Sequence, residues 1–296
     1  MGPKAWTLSV REACEREAGP YGVLIGDDGV VWTTLVHSGE VLRLDRSTQE
    51  INRLTVGEET SAPSQLHSGP GGLWVSLQGA DQICRLGSDS SVQVAQLPEG
   101  SFPFGVVSDD HGCWVSCLRR DRISYLDDDH DVRDAARLPP GAMPSMLTRA
   151  PNGDVWAALN GISAIGRLAA DGTFDVIPTP TTGAGPVGVT SANGGEVWFT
   201  EFLADQVGRL RPDGSITEYP LPERGSRPHA IAADPWGGLW FTEWGAHRVG
   251  RITEAGRVDE FDLPQGVREP HGVAVSESGS VCVAAESGHL VFLDPA

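Results

Sequence analysis

A motif that recurs at a nearly constant interval is the feature that most limits how this chain can fold. Tryptophan recurs six times at intervals of 40 or 42 residues, and a cysteine follows 42 residues after the last one. A proline lies 11 or 12 residues before each of these positions. The positions are Trp32, Trp74, Trp114, Trp156, Trp198, Trp240 and Cys282, and the prolines are Pro20, Pro63, Pro103, Pro144, Pro186, Pro228 and Pro270. Seven copies of one unit therefore run through the chain.

Each unit has the pattern of four short β-strands. In the sixth unit, residues 229–234, 239–243, 248–253 and 257–264 show the alternation and β-branched content of strands, and turns rich in glycine or proline separate them. Four strands in a period of about 42 residues are typical of a β-propeller blade. The sequence therefore predicts an all-β fold, in which residues 1–296 form one seven-bladed β-propeller domain with four-stranded antiparallel blades.

The two ends of the chain predict how the ring closes. The seventh unit stops after its third strand, whereas the segment AWTLSV at residues 5–10 is a strand that precedes the first unit. We expect residues 5–10 to complete the last blade by pairing with residues 289–294. Such pairing removes an open sheet edge.

Charge and composition exclude several classes of partner. The chain has 22 Lys and Arg against 40 Asp and Glu, a formal net charge of −18, which disfavours nucleic acid and anionic membrane surfaces. No apolar run approaches the roughly 18 residues of a membrane span, and the N-terminus lacks the apolar core of a signal peptide. Five cysteines without framework spacing fit a reducing compartment. We expect a cytoplasmic protein and a monomer.

Differences between the repeats on one face of the ring predict a functional site. The connections that enter the first strand and leave the second strand of each blade open on the same face, which we call the mouth. After the proline the repeats carry Tyr21, Ser64, Phe104, Ser145, Val187, His229 and His271. Blades six, seven and one are neighbours in a closed ring, so one sector of the mouth should gather two histidines, a tyrosine and several acids. The expected members are His229, His271, Tyr21, Glu243, Glu269 and Glu286.

The tripeptide Glu269–Pro270–His271 begins the first strand of the last unit. Proline fixes its own φ near about −65° and disfavours the helical conformation in the residue before it, so we expect Glu269 to be extended. A rigid bracket of this kind would aim the imidazole of His271 into the mouth.

Other roles remain open for several of these residues. Glu201 and Glu243 occur in nearly identical WFTE strands and could be loop carboxylates paired with arginines. Tyr21 could pack at the rim, and Trp244 could pack on a surface turn instead of facing a ligand. Three further histidines near the mouth are expected to be solvated: His37, His247 and His289.

The residue types at the mouth limit its chemistry. The sequence shows no nucleophilic serine or cysteine beside a histidine, no phosphate-binding glycine loop and no Cys/His cluster for zinc. Two carboxylates suit Mg²⁺, a hard cation that keeps several waters. A histidine suits proton transfer at neutral pH. A cation that polarises a carbonyl beside a histidine base is an arrangement for removing a proton α to that carbonyl.

Four segments of the chain resemble one enzyme family. They are GPYGV (19–23), RPHAI (227–231), WFTEWGAHRVGRIT (240–253) and EPHGV (269–273). They are similar to the virginiamycin B lyase family, also called streptogramin B lyases, and the resemblance covers essentially the whole chain. The pair RPHA and EPHG with a later glutamate is the most specific part of the resemblance.

The resemblance implies an activity and a role for several residues. Members of the family confer antibiotic resistance by opening cyclic depsipeptides, the type B streptogramins, through elimination at the threonyl ester. His271 would then be the catalytic proton acceptor, Glu269 and Glu286 the Mg²⁺ ligands, and His229 a substrate contact. The expected partner is a small cyclic depsipeptide. Its remaining expected contacts are Tyr21, Glu243 and Trp244.

Two other functions stay open at this stage. One is a metal-dependent lactonase or esterase on a related propeller, which would hydrolyse its substrate. The other is a non-catalytic propeller that binds a peptide or protein at the mouth. Histidines and carboxylates concentrated in adjacent blades argue against the second.

Overall fold

Seven four-stranded antiparallel sheets form the blades of a ring in the computed structural model, which describes residues 5–296. Strand β1 (Trp6–Glu12) precedes blade one. Blades one to three contain β2 (Pro20–Ile25), β3 (Val30–Leu35), β4 (Glu40–Asp45), β5 (Ile51–Thr55), β6 (Pro63–Gly69), β7 (Gly72–Leu77), β8 (Gln82–Gly87), β9 (Val92–Gln96), β10 (Pro103–Ser108), β11 (Gly112–Cys117), β12 (Arg122–Asp127) and β13 (Val132–Arg137).

The later blades repeat the same order. Blades four to seven contain β14 (Pro144–Arg149), β15 (Val155–Leu159), β16 (Ala164–Leu168), β17 (Phe174–Pro178), β18 (Pro186–Ala192), β19 (Glu196–Glu201), β20 (Gln206–Leu210), β21 (Ile216–Pro220), β22 (Pro228–Ala233), β23 (Leu239–Glu243), β24 (Arg248–Ile252), β25 (Val258–Asp262), β26 (Pro270–Val275), β27 (Val281–Ala285) and β28 (His289–Pro295). Single 3₁₀ turns occur at Arg16–Ala18, Glu59–Ser61, Gln78–Ala80, Asn160–Ile162 and Asn193–Gly195. Within residues 5–296, no helix has the length and apolar character needed to cross a membrane.

The N-terminal strand closes the ring as the sequence predicts. Strand β1 pairs antiparallel with β28, from Trp6 opposite Pro295 to Glu12 opposite His289. The pairing therefore extends two residues beyond the predicted end at residue 10. The Trp6 ring also packs edge-on against Trp240 of blade six, with 4.7 Å between ring centroids.

Buried aromatic residues fill the spaces between blades and explain a glycine in the third strand of blades five and six. In blade five, the consecutive residues Trp198 and Phe199 of β19 are both buried, on opposite faces of the sheet. A Cβ atom at Gly208 of the neighbouring strand would lie 2.1 Å from the Phe199 ring. The same arrangement recurs in blade six with Phe241 and Gly250. Glycine is therefore required where an aromatic ring crosses the third strand.

Every blade begins with a left-handed residue, which corrects the expectation that Glu269 is extended. The φ angle of Glu269 is +56°. The other six residues that precede a blade's first proline also have φ between +48° and +65°: Gly19, Ala62, Phe102, Met143, Gly185 and Arg227. Proline disfavours the right-handed helical region in the residue before it. The left-handed region, with positive φ, stays accessible. A left-handed turn, repeated seven times, thus leads into each first strand.

Candidate active site

One residue in each blade, immediately after the second strand, lies in the connection at the mouth. In all seven blades its backbone N–H donates to the carbonyl of the left-handed residue before the proline. We call these seven residues the mouth row. They are Val36, Gln78, Leu118, Asn160, Phe202, Trp244 and Glu286. Of these, Trp244 and Glu286 are predicted site residues, whereas Phe202 was missed although it occupies the same repeat position as Trp244.

A carboxylate held between two histidines forms the centre of the site. Nε2 of His271 lies 2.6 Å from Glu286 Oε2, and Nε2 of His37 lies 2.7 Å from Glu286 Oε1. The hydrogen bond from His271, aided by His37, lowers the pKa of Glu286 to about 2 against the opposing effect of burial. Since an ionised carboxylate only accepts, Nε2 of His271 carries a proton in this state. Its Nδ1 is buried and has no partner among the described residues.

Tyr21 and His229 pack around His271. The Tyr21 ring stacks on the His271 imidazole with 4.2 Å between centroids, and the His229 ring meets it edge-on at 4.9 Å. Nδ1 of His229 lies 3.4 Å from the carbonyl oxygen of His271. A carbonyl oxygen only accepts, so Nδ1 donates and Nε2 is free to accept from the Tyr21 hydroxyl, also at 3.4 Å.

The two histidines at this site differ in their surroundings. Burial, together with the nearby charge of His271, lowers the pKa of His229 to about 3. His229 is therefore a neutral imidazole at pH 7, whereas His271 is paired with an anionic carboxylate. Burial also raises the pKa of Tyr21, which keeps the phenol protonated and able to donate.

An aromatic wall continues from this cluster across blades six and five. Between ring centroids, Trp244 lies 6.3 Å from His271. The Phe202 centroid lies 6.0 Å from that of Trp244 and 6.2 Å from that of His229. The guanidinium of Arg227 is 5.6 Å from the centroid of Trp244 and 5.8 Å from that of Phe202. Both aromatic side chains are half-buried, so they offer apolar contact area to a ligand in the mouth.

Backbone contacts fix Glu269 beside Glu286. The N–H of Glu269 donates to His247 Nδ1 at 3.2 Å, and its carbonyl accepts from the N–H of Glu286 at 3.0 Å. In three other blades an aspartate accepts the N–H of the equivalent left-handed residue, namely Asp81, Asp121 and Asp205. An imidazole at position 247 avoids a further negative charge next to the two glutamates.

Glu243 does not join the cluster. The side chain of its neighbour Thr242 faces blade seven, where Oγ1 donates to the carbonyl oxygen of His271 at 2.8 Å. Successive side chains on a strand point to opposite faces, so Glu243 turns away from that blade. It is fully buried, and its position gives no support to the predicted substrate contact. The mouth row contains the next residue, Trp244.

Burial of Glu243 predicts a pH-dependent stability. Burial, with the charge of Glu260 adding to it, raises the pKa of Glu243 from 4.5 to about 7. Its stabilising contribution is therefore present below about pH 4.5 and is lost as the pH rises through about 7. We expect Glu243→Gln to raise Tm at pH 8 by on the order of 5 °C and to have a smaller effect at pH 5.

Thermal melts at both pH values test this expectation. The exposed Glu99→Gln serves as a control and should leave Tm nearly unchanged at each pH. A Tm difference between Glu243→Gln and the parent protein that is equal at pH 5 and pH 8 would contradict the raised pKa.

The two carboxylates at the mouth are compatible with a bound cation. Residues 5–296 contain no group of three or more His, Cys, Asp or Glu side chains placed to hold a metal ion. Glu286 is anionic, and its two oxygens retain lone pairs beyond those that accept from the histidines. Glu269 is half-buried, and its backbone carbonyl accepts from the N–H of Glu286. These residues fit a hard cation such as Mg²⁺, which retains several waters and needs few protein ligands.

Comparisons with known proteins give one consistent family. A family model described as the virginiamycin B lyase family matches residues 7–293. A virginiamycin B lyase from Nocardia farcinica is 37% identical over 178 residues, which are 60% of this chain and 61% of the relative. The alignment thus spans about three fifths of that relative's length.

Solved structures are similar over the whole ring. One described as a streptogramin B lyase has a TM-score of 0.93 and 31% identity, with 100% of both chains covered. The virginiamycin B lyase of Staphylococcus aureus has a TM-score of 0.92 and 28% identity, with 98% of this chain and 99% of that chain covered. A catalytically inactive histidine-to-alanine variant of the latter, with quinupristin, gives the same TM-score, identity and coverage.

Proposed function

The chain belongs to the virginiamycin B lyase family, and from this premise we propose that it inactivates type B streptogramins by opening their ring through elimination. The observation that carries the proposal is the hydrogen bond between His271 and Glu286 at the mouth, flanked by Tyr21 and His229. The related structure with quinupristin supports a small cyclic depsipeptide as substrate. A monomeric state and a cytoplasmic location stay predictions from the sequence.

The reaction needs a base at the threonyl residue of the substrate. The base removes the proton from Cα, the electron pair forms a Cα=Cβ double bond, and the Cβ–O bond breaks with the ester carboxylate as leaving group. No water is consumed. A histidine suits this task because its unperturbed pKa is near about 6.5.

His271 is the base in this proposal. Its Nδ1 is buried, so the substrate proton goes to Nε2, the imidazole nitrogen that faces Glu286. Nε2 carries a proton while it donates to Glu286, so His271 acts as the base in its other neutral tautomer, with Nε2 unprotonated and released by Glu286. A positioned base of this kind contributes roughly 10²–10⁴-fold to the rate.

The surrounding residues hold the substrate and the reacting groups. His229, neutral and fixed in one tautomer, and Tyr21, a protonated phenol, orient His271 and contact the substrate. Trp244 and Phe202 provide an apolar wall for the rest of the cyclic peptide. Mg²⁺ held by Glu269 and Glu286 would supply a positive charge that acidifies the Cα–H of the substrate.

Product mass tests the proposed reaction. The purified protein is incubated with quinupristin and Mg²⁺, with and without a chelator, and the product is analysed by mass spectrometry. Elimination predicts a ring-opened product of unchanged mass that contains a dehydrobutyrine. A product heavier by one water would indicate a lactonase or esterase instead, and binding without conversion would indicate a non-catalytic propeller.

The two carboxylates predict a cation dependence. Glu269→Gln and Glu286→Gln keep the side-chain shape but remove the charge, so the Mg²⁺ concentration for half-maximal activity should rise about tenfold or more. Glu277→Gln, an exposed glutamate in the same blade, is the matched control. If both variants responded to Mg²⁺ like the parent protein, these glutamates would not be its ligands.

A further inference from the structure

We propose that His37 is a positioning residue for the reaction, which keeps the Glu286 carboxylate in place beside His271. This proposal rests on the proposed function. The sequence suggested a solvated histidine at position 37, and its side chain is indeed 51% exposed. Its Nε2 nevertheless lies 2.7 Å from Glu286 Oε1, a contact between residues 249 positions apart in the chain.

The backbone fixes the loop that carries His37. The N–H of His37 donates to the carbonyl of Ala18 at 3.0 Å, and the N–H of Val36 donates to that of Gly19 at 2.9 Å. These two bonds attach the connection after β3 to the segment before β2. The imidazole therefore extends from a fixed backbone, although its outer face is open to solvent.

The glycine at position 19 indicates that the fold reserves space for the His37 ring. A Cβ atom at Gly19 would lie 2.5 Å from Cδ2 of His37. A positive φ alone does not explain this glycine, because five of the seven equivalent residues have side chains, among them Ala62 and Glu269. Close packing against the imidazole gives a separate reason for glycine here.

The hydrogen bond from His37 has a defined use in the proposed reaction. Oε2 of Glu286 must leave Nε2 of His271 before that nitrogen accepts a proton. During this exchange Oε1 remains bonded to His37, so the carboxylate turns about a fixed point instead of moving into solvent. Partners that orient a reactive carboxylate in this way are typically worth 10–100-fold in activity or metal affinity.

The contact also spans the seam of the ring. His37 belongs to blade one and Glu286 to blade seven, which the N-terminal strand completes. Next to Glu286, the carbonyl of Gly288 accepts from the N–H groups of Ala13 and Cys14 at 2.9 and 3.2 Å. The loop that carries Glu286 is therefore held from the N-terminal side through both its backbone and its side chain.

Two substitutions of His37 test the proposal on the full chain. His37→Ala removes the donor, and we expect kcat for quinupristin to fall about tenfold while KM stays within about twofold. His37→Gln places an amide N–H near the position of Nε2 and should restore kcat to within about threefold of the parent protein. His111→Ala, an exposed histidine on another blade, is the matched control and should change neither constant.

A spectroscopic readout separates positioning from a general loss of structure. Long-range proton–nitrogen correlation NMR reports the tautomer of each histidine, and the His271 signal is the one absent from the His271→Ala spectrum. We expect the Nε2-protonated form in the parent protein and in His37→Gln, and a mixture of tautomers in His37→Ala.

Unchanged kcat together with an unchanged His271 tautomer in His37→Ala would overturn the role of His37. Loss of kcat in His37→Gln equal to that in His37→Ala would also overturn it. If the parent protein does not open quinupristin, the proposed function fails, and the NMR comparison still decides whether His37 holds the Glu286–His271 pair.

Discussion

Replacing His271 with alanine is expected to lower kcat for ring opening of quinupristin by about 10²-fold or more. The substitution removes the group proposed to accept the Cα proton, and His229 is poorly suited to replace it. His229 has its Nδ1 directed at the His271 carbonyl and is held neutral by burial. Steady-state kinetics on purified protein, with Tm and circular dichroism as checks on folding, measure the effect.

The fold should tolerate this change because the backbone of residue 271 keeps its contacts. Its carbonyl still accepts from Thr242 Oγ1 at 2.8 Å, and the left-handed turn before Pro270 does not depend on the imidazole. The two glutamates proposed to hold Mg²⁺ also remain. A large loss of kcat in a protein that still melts cooperatively would therefore report chemistry.

His229→Ala is the matched comparison, at the equivalent position of the neighbouring blade. If His229 mainly contacts and orients the substrate, its removal should raise KM more than it lowers kcat. The two imidazoles lie 4.9 Å apart between ring centroids. A difference between the kinetic constants of the two variants therefore reflects the role of each side chain and not its location. Near-wild-type kcat in His271→Ala would refute the base assignment and direct the search to His247 or His289.

The propeller ring could be predicted from the sequence because the number of repeat units, and of strands in each unit, is enough to define it. Seven spaced units give seven blades, and the missing fourth strand of the last unit requires a partner from the other end of the chain. The observed pairing of β1 with β28 follows from that count. Packing details, such as the glycine that lets Phe199 cross the third strand, adjust the blades without changing their number.

The structure brings some of the predicted site residues together at the mouth and places Glu243 outside that cluster. Glu201 and Glu243 end the two WFTE segments and lie three positions after Trp198 and Trp240. The mouth row is four positions after the tryptophan, and a shift of one residue along a strand moves a side chain to the opposite face. Glu243 is therefore buried, while Trp244 and Glu286 reach the mouth.

Contacts between distant parts of the chain lay beyond what the repeat could predict. The pairing of His37 with Glu286 depends on where the first and last blades meet, and no local pattern encodes that distance. The left-handed turn at Glu269 was also missed, because a preference against the helical region leaves more than one alternative open. Seven occurrences of the same turn in the structure show which alternative the fold uses.

Deleting residues 1–12 is expected to lower Tm by about 10 °C or more. The deletion removes all of β1, which pairs with β28 along its whole length. Without β1, strand β28 has an unpaired edge. It also removes Trp6, which packs against Trp240 at 4.7 Å and Trp236 at 5.9 Å. Loss of a fully buried large aromatic side chain costs about 3–5 kcal/mol, and the half-buried Trp6 should contribute less. Each kcal/mol corresponds to roughly 2–4 °C in domains of 150–250 residues.

Two further variants divide this effect into its parts. Deletion of residues 1–4 leaves β1 intact and should keep Tm within about 2 °C of the full chain. Trp6→Ala keeps the backbone pairing but loses the ring, so its Tm should fall between those of the two deletions. A protein without residues 1–12 that melts together with the full chain would show that the seventh blade is stable with three strands. In that case the hydrogen bonds from Ala13 and Cys14 to Gly288, and not β1, would hold the ends of the ring together.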